Sequence, residues 1–308
     1  GAMYGGSISA ILIGVPGTSA AAATILDGYE MNKKGMGEEA LKLAIFGSTF
    51  GGLFSAFALL LIAPLLVKVS LLFGPAEYFM MAVFGITVIA SVSGKNLLIG
   101  ILSGIIGLIW STIGKDPVTG VDRFTFGINY LFDGLPMIPA LLGIFAVPQC
   151  LIMLREFLMK KKSFEPTVTI EKRINSSLKT GLLSDLKTYF KNWRLLIQSS
   201  IVGVIIGMIP AAGANIACFV SYSLGKNTSK HPEKYGTGFY EGVIAAETSN
   251  NGVTGGALIP MLTLGIPGNA VTAIILAGMM IHGLTPGISL FRESSVPTYT
   301  FIFSLFAA

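Results

Sequence analysis

Four polar side chains lie at helical spacing within a largely apolar part of the sequence. They occupy positions i, i+3, i+4 and i+7: Glu247, Asn250, Asn251 and Thr254. On a helix this spacing presents a carboxylate, two amides and a hydroxyl along one face. Such oxygen atoms suit the coordination of Na⁺, and a carboxyl group in an apolar setting can instead bind a proton reversibly. The stripe therefore predicts a site for a coupling ion and for substrate.

The two roles are divided among six residues. The predicted ion-coupling residues are Glu247, Glu241, Asn215 and Thr254. The predicted substrate contacts in this part of the chain are Asn250 and Asn251. A helix that lies on the membrane surface is the alternative interpretation for both glutamates, and it stays open here.

A second pattern is a duplicated break in the chain. The sequence Gly14-Val15-Pro16-Gly17 returns 251 residues later as Gly265-Ile266-Pro267-Gly268, each time inside an apolar stretch. Backbone amides in lipid must be satisfied internally, so a Pro-Gly pair is costly there unless the broken helix lines a polar cavity. Matching breaks in two halves of a chain point to the binding site of a transporter. The alternative is that each Pro-Gly pair only kinks or ends a span.

Small polar residues follow each break. A half-helix that begins just after Pro-Gly directs its free amides and positive dipole end into the cavity, which suits a carboxylate or phosphate. The residues predicted to line the cavity and bind substrate are Pro16, Gly17, Thr18, Ser19, Pro267, Gly268 and Asn269. A third break is predicted at Pro210-Ala211, inside another apolar stretch.

The composition indicates the environment of these segments. The 308 residues are 52% apolar and 12% charged, with a mean hydropathy of +0.73. A soluble domain is about one quarter charged, so this chain has too little polar surface to cover a water-soluble globule. We expect an all-α polytopic membrane protein, built as the inverted repeat of a secondary transporter with Pro-Gly-broken helices. The two cysteines and two histidines are too scattered for a disulfide framework or a zinc site, and no cofactor is expected.

Charge divides the chain into three parts. Ten of the 21 Lys and Arg residues fall between Arg155 and Arg194, and the positive-inside rule makes this segment cytoplasmic. We predict a first transmembrane repeat over 1–154, a basic cytoplasmic linker over 155–194 and a second transmembrane repeat over 195–308. For this linker, attraction to anionic lipid headgroups is favoured over nucleic-acid binding on the ground of its charge pattern.

Several motifs follow one another in order along the chain. They are Tyr4-Gly5-Gly6-Ser7, Val15-Pro16-Gly17-Thr18, Leu26-Asp27-Gly28-Tyr29, Pro210 with Gly213-Ala214 and Ser221-Tyr222, Glu241-Gly242-Val243 with Glu247 and Asn250-Asn251, and Leu258-Ile259-Pro260 with Leu262 to Gly268 and Pro286-Gly287. Together they resemble the large membrane subunit (TctA) of the tripartite tricarboxylate transporters. The family tends to have Pro-Gly where this chain has Pro210-Ala211, so the geometry of the third break is expected to differ. Asp27 lies near the end of its motif, and two roles are open for it. It either lies at the cytoplasmic mouth of the transport path or caps a helix with its carboxylate.

The resemblance implies a multi-pass subunit of a secondary transporter in the bacterial cytoplasmic (inner) membrane. Its implied partners are a small membrane subunit (TctB-like) and an extracytoplasmic solute-binding protein (TctC-like) that delivers a di- or tricarboxylate such as citrate. An ion gradient of Na⁺ or H⁺, not ATP, would drive uptake, and the chain would not be an enzyme. Symmetry of the repeats further suggests a fragment, with roughly 50–60 residues missing in front and about 100 behind.

Two other classes of function were weighed against transport. A membrane enzyme acting on a lipid-linked substrate would need an acid/base or nucleophile constellation, and the acids and histidines do not form one in the sequence. A channel would be expected to repeat a pore motif across subunits, and a scaffold has no need of paired Pro-Gly breaks.

Overall fold

In the part of the chain that the structure describes, the regular structure is helical apart from one small hairpin. The computed structural model describes residues 2–70, 72, 74, 76–77, 79–80, 83, 97–116, 119–136, 139–140, 143–144, 147–160, 189, 191–209 and 213–307. Within these residues the hairpin pairs β1 (Gly114–Lys115) with β2 (Asp122–Arg123) in antiparallel fashion, Gly114 opposite Arg123.

Among the described residues, five α-helices lie in the first part of the chain. They are α1 (Ala2–Ile13), α2 (Ala22–Lys33), α3 (Gly37–Ser70), α4 (Leu97–Ser111) and α5 (Val147–Lys160). Short 3-10 turns lie at Ser19–Ala21 and Asn129–Leu131. Helix α5 continues six residues past the predicted repeat boundary at 154, so the start of the basic linker is helical. Residues 161–188 and 190 of that linker lie outside the described residues.

The second part adds six α-helices and a 3-10 turn at Pro232–Lys234. The helices are α6 (Trp193–Met208), α7 (Gly213–Thr228), α8 (Tyr240–Leu264), α9 (Ala270–Ile281), α10 (Ile288–Arg292) and α11 (Ser295–Ala307). The predicted third break separates α6 from α7, and its residues 210–212 lie outside the described part of the chain.

The apolar helices differ in length. Among the described residues, one helix, Gly37–Val69 of α3, is long and apolar enough to cross a bilayer alone. Five shorter apolar helices have 10–17 residues: Tyr4–Ile13, Leu98–Ser111, Trp193–Met208, Ala270–Ile281 and Ser295–Ala307. A 12-residue helix is about 18 Å long against a hydrocarbon core of about 30 Å. Helices α1 and α2 beside the first break and α9 after the second have 12 residues each, so they are too short to span that core singly.

Helix α8 is the centre of the described bundle. It packs against α3, α6, α7 and α2, and its buried surface extends around the whole helix between Gly242 and Thr263. Glycines allow this close approach, because a side chain at Gly51 of α3 would overlap the Thr248 carbonyl oxygen. A Cβ atom at Gly203 of α6 would lie 2.5 Å from the Ser249 carbonyl oxygen. Small residues at helix contacts are typical of membrane bundles.

Two apolar clusters enclose the polar part of α8. One cluster joins Val243, Ile244 and Ala245 to helices α1, α3 and α6, and the other joins residues 258–262 to α3, α9 and α11. Residues 247–250 lie between the two clusters and are fully buried. Glu247 and Asn250 of the polar stripe predicted from the sequence are therefore held inside the bundle, not on its surface.

Candidate functional site

The first break is a left-handed turn at the end of α1. Gly14 has φ of +70°, and the Val15 amide donates to the Ser9 carbonyl at 3.4 Å. The chain then folds back, and the Gly17 amide donates to the Gly6 carbonyl at 3.1 Å. A Cβ atom at Gly17 would lie 2.8 Å from the Gly6 Cα, so the return of the chain requires glycine at this position.

The second break repeats this geometry at the end of α8. Gly265 has φ of +71°, and the Ile266 amide donates to the Pro260 carbonyl at 3.3 Å. Each of these residues lies 251 positions after its counterpart in the first break. Gly268 is again tightly packed, with a hypothetical Cβ atom 2.9 Å from the Ala257 Cβ. The structure thus confirms two helix breaks with matching backbone conformations.

Thr18 and Asn269, the first residues after the two Pro-Gly pairs, differ in their hydrogen bonds. Asn269 is the N-cap of α9 and forms a capping box, in which the Thr272 amide donates to Asn269 Oδ1 at 3.0 Å and the Asn269 amide donates to Thr272 Oγ1 at 2.9 Å. Thr18 directly precedes the 3-10 turn, and its buried Oγ1 has no hydrogen-bond partner in the described part of the chain. Thr18 thus keeps a free hydroxyl, whereas the Asn269 Oδ1 is used by its own helix.

The remaining break residues are accessible to different degrees. Pro16 and Gly17 are exposed, Pro267 is half-buried and Gly268 is buried. Ser19 is the first residue of the 3-10 turn that leads into α2. These residues lie in the breaks where the sequence places them, and their role in binding substrate stays a prediction.

Glu247 joins three helices to α8. Its carboxylate is fully buried and accepts hydrogen bonds from Ser7 of α1 at 2.6 Å, from Thr24 of α2 and from Ser48 of α3 at 3.1 Å. The donors are 199–240 residues away in sequence. Three hydroxyl donors offset part of the cost of burying a carboxylate, and the same oxygen atoms together form a group of ligands suited to a hard cation.

Asn250, one turn further along α8, is fully buried and lacks any hydrogen bond at either amide atom within the described residues. Asn251 is half-buried, and its Nδ2 donates to the Glu247 carbonyl at 3.3 Å. Thr254 is half-buried as well. The predicted stripe is therefore a true helical face, and Glu247 and Asn250 are its two fully buried members.

Asp27 binds a loop of the second half. Its fully buried carboxylate accepts the amides of Gly236, Gly238 and Phe239 at 2.8–3.1 Å and the Tyr222 hydroxyl at 2.8 Å. Phe239 is the N-cap residue of α8, so Asp27 caps a helix other than its own. A side chain at Gly242 would overlap this carboxylate. Helix capping, one of the two interpretations left open by the sequence, is found here, and a position at the cytoplasmic mouth stays a prediction.

Glu241 and Asn215 lie apart from the buried group around Glu247. Glu241 accepts hydrogen bonds from Ser229 at 2.6 Å and from Tyr235 at 3.2 Å, so it anchors the loop between α7 and α8. Burial and, next, the Glu241 carboxylate raise the pKa of the Tyr235 phenol, which therefore remains a hydrogen-bond donor at neutral pH. Asn215 is exposed on α7. The ion-coupling role of these two residues stays a prediction without support from this geometry.

Two members of the Glu247 group were not singled out from the sequence. Ser7 and Ser48 are small hydroxyl residues in apolar helices, where serine is common at helix contacts. Nothing in their spacing relates them to a glutamate 240 and 199 residues away. Ser7 does lie beside the repeated glycines of the first break, which is the one signal that could have drawn attention to it.

The sequence of this chain is similar to that of known proteins. A family model described as the tripartite tricarboxylate transporter TctA family matches residues 1–308. An uncharacterized 52.8 kDa protein in the TAR-I ttuC' 3' region of Agrobacterium vitis is 37% identical over 287 residues, which is 93% of this chain and 55% of that protein. An uncharacterized protein in the TAR-II ttuC' 3' region of the same organism is 44% identical over 85 residues, which is 28% of this chain and 35% of that protein. The chain thus spans about half the length of the first of these relatives, and no solved structure matches it.

Proposed function

This chain belongs to the tripartite tricarboxylate transporter TctA family, and we propose that it carries a di- or tricarboxylate of the citrate type across the membrane. The family is one of transporters rather than enzymes, and the apolar helices fit a membrane protein. The proposal goes further in naming the substrate class, the driving force and the partners.

The observation that supports carboxylate transport is the pairing of two matched helix breaks with one buried polar helix. Each break interrupts an apolar segment at Gly-[Val/Ile]-Pro-Gly, and both contact α8, the first through the 3-10 turn and α2 and the second as its direct continuation. Half-helices that start in the interior offer amide donors and a positive dipole end to an anion. We propose on this basis that the two halves form an inverted repeat around the substrate.

Glu247 is the proposed coupling group. A carboxylate among three hydroxyls can take up Na⁺ through its oxygen atoms or a proton at the carboxyl group, and movement of either ion down its gradient would drive uptake. Because an ion gradient supplies the energy, no nucleotide and no cofactor enter the proposal.

The proposed partners complete a tripartite system. The family description itself refers to a tripartite transporter. We propose a small membrane subunit (TctB-like) and an extracytoplasmic binding protein (TctC-like) that hands over the carboxylate, with the complex in the bacterial inner membrane. The basic linker at 155–194 would then face the cytoplasm.

Transport into vesicles tests this function. The complete membrane subunit and its small partner would be reconstituted, the binding protein and radiolabelled citrate or another carboxylate added, and a Na⁺ or proton gradient imposed. We expect accumulation that stops when the gradient is dissipated. Accumulation driven by ATP without an ion gradient, or no transport of any di- or tricarboxylate, would contradict the proposal.

A further inference from the structure

The amide group of Asn250 is an anomaly in the bundle. It is fully buried, and neither its Oδ1 nor its Nδ2 has a hydrogen-bond partner among the described residues. Buried polar atoms are nearly always hydrogen-bonded, and an unpaired buried group destabilises the fold. An acceptor and a donor that are both left free on one side chain point to something that both atoms bind.

The neighbours of Asn250 on α8 show where its side chain lies. Ala246 shares a cluster with Ala23 of α2 and a residue of α7, and Val253 shares one with Ala20 of the 3-10 turn and two residues of α7. Glu247 contacts Thr24 of α2. Successive residues of a helix are 100° apart, so position 250 falls between the directions of 246, 247 and 253. Asn250 therefore faces the region where the 3-10 turn and the start of α2, directly after the first break, meet α7.

Asn250 lies between a site suited to a cation and a site suited to an anion. One turn before Asn250 lies the Glu247 carboxylate with its hydroxyl ligands, a place for positive charge. On the other side begins the half-helix after Pro16-Gly17, with the positive end of its dipole and the unpartnered Thr18 hydroxyl, a place for negative charge. A carbonyl oxygen suits the first and an amide N–H group suits the second.

We propose that Asn250 bridges the coupling ion and a substrate carboxylate. Its Oδ1 faces the ion held at Glu247, and its Nδ2 donates to a carboxylate oxygen that also accepts from Thr18 Oγ1. The inference rests on the proposed transport function and adds to it the residue through which binding of the ion affects binding of the substrate, and the reverse. Each ligand then orients the amide for the other, which makes their binding cooperative.

The test measures this cooperativity in both directions. In reconstituted vesicles the half-saturating carboxylate concentration is determined at low and high concentration of whichever ion, Na⁺ or H⁺, drives the wild type. The half-saturating ion concentration is determined at low and high carboxylate. Coupling between two sites is reciprocal and usually 5- to 150-fold. We expect Asn250→Ala to reduce the coupling factor to about 1 and to raise both half-saturating concentrations about tenfold.

Two further variants keep the result interpretable. Thr18→Val should weaken carboxylate binding while leaving ion binding at low carboxylate unchanged, and it serves if Asn250→Ala fails to fold. Ser199→Ala is the matched control, because Ser199 of α6 is also fully buried with an unpartnered hydroxyl yet belongs to no part of the proposed site. It should retain the wild-type coupling factor.

Three results would overturn the bridge. Wild-type coupling in Asn250→Ala would mean that the amide holds a structural water only. An effect on carboxylate binding without loss of ion coupling would make Asn250 a substrate contact alone, and unchanged carboxylate binding in Thr18→Val would remove the anion side of the bridge. A wild-type protein that transports no carboxylate would instead contradict the proposed function itself, so the two failures are distinguishable.

Discussion

Asp27 and Glu247 are two carboxylates that are equally shielded from solvent and yet are surrounded by different donors. Asp27 accepts three backbone amides and one tyrosine hydroxyl, all from residues 222–239. Glu247 accepts three serine and threonine hydroxyls from three separate helices. The first is attached to one loop, and the second lies where four helices meet.

The type of donor determines what each carboxylate can do. A backbone amide only donates and cannot turn, so its partner must offer an acceptor atom. A hydroxyl rotates and offers lone pairs as readily as its proton, so a carboxylate among hydroxyls can bind a cation with them or become protonated. This comparison makes Asp27 a structural acceptor and Glu247 a group whose charge can be compensated by an ion.

The strongest test of that division is Asp27→Asn. If the asparagine Oδ1 keeps the amides of Gly238 and Phe239, its Nδ2 faces the Gly236 amide, which itself only donates. We expect a loss of about 3 kcal/mol in the free energy of unfolding. Thermal unfolding and membrane yield in detergent measure this. Glu30→Gln is the control, since its exposed ion pair with Lys33 contributes little. Wild-type thermal stability with lost transport would assign Asp27 to the transport mechanism instead.

Glu247→Gln tests the other side of the comparison. Glutamine keeps one acceptor oxygen, and the three hydroxyls can reorient to accept its N–H groups, so the fold should survive. We expect ion-driven uptake to fall at least about tenfold, which corresponds to 1.4 kcal/mol, while the unfolding temperature changes little. Uptake and unfolding temperature would be measured on the same preparation. Equal losses of folded protein and uptake would show Glu247 to be structural, like Asp27.

Single hydroxyl deletions should give graded effects at Glu247. Ser7 donates at 2.6 Å and Ser48 at 3.1 Å, so the first bond is the stronger. Ser7→Ala should cost about 1.5 kcal/mol and Ser48→Ala about 0.5 kcal/mol. Both should raise the ion concentration needed for half-maximal uptake, in that order. The reverse order, or an effect on stability alone, would argue against a shared ion site.

Tyr222→Phe should have the smallest effect. It removes the one side-chain donor to Asp27 but leaves the amides of Gly236, Gly238 and Phe239 in place. We expect a loss below about 1 kcal/mol in unfolding free energy and unchanged transport kinetics. A larger loss than in Ser7→Ala would show that the amides do not hold the Asp27 anion on their own.

The helix breaks could be predicted because their cause is local. Gly14 and Gly265 adopt positive φ, and Pro16 and Pro267 prevent the helix from continuing, so four residues in a row determine each break. The helical stripe from Glu247 to Thr254 was predictable for the same reason, since its period belongs to a single helix.

The partners of the two carboxylates could not be predicted, because they depend on packing between distant helices. Ser7 and Ser48 contact Glu247 only because α1 and α3 approach α8 closely at small residues. Asp27 was expected at a mouth or as a cap for an unspecified helix, and no local signal connects it to Gly236 or Phe239. Which polar residues meet is decided by helix order and rotation, which the sequence pattern leaves undetermined.

The attachment of Asp27 to the loop before α8 also has a consequence for the order of biosynthesis. Its amide donor Gly236 is 209 residues further along the chain, and at 5–20 residues per second the ribosome needs roughly 10 to 40 seconds to make them. During that interval α2 already carries an aspartate for which the amides do not yet exist. Until the loop at 236–239 has been synthesised, α1 and α2 must therefore remain at the membrane–water interface or bound to the insertion machinery.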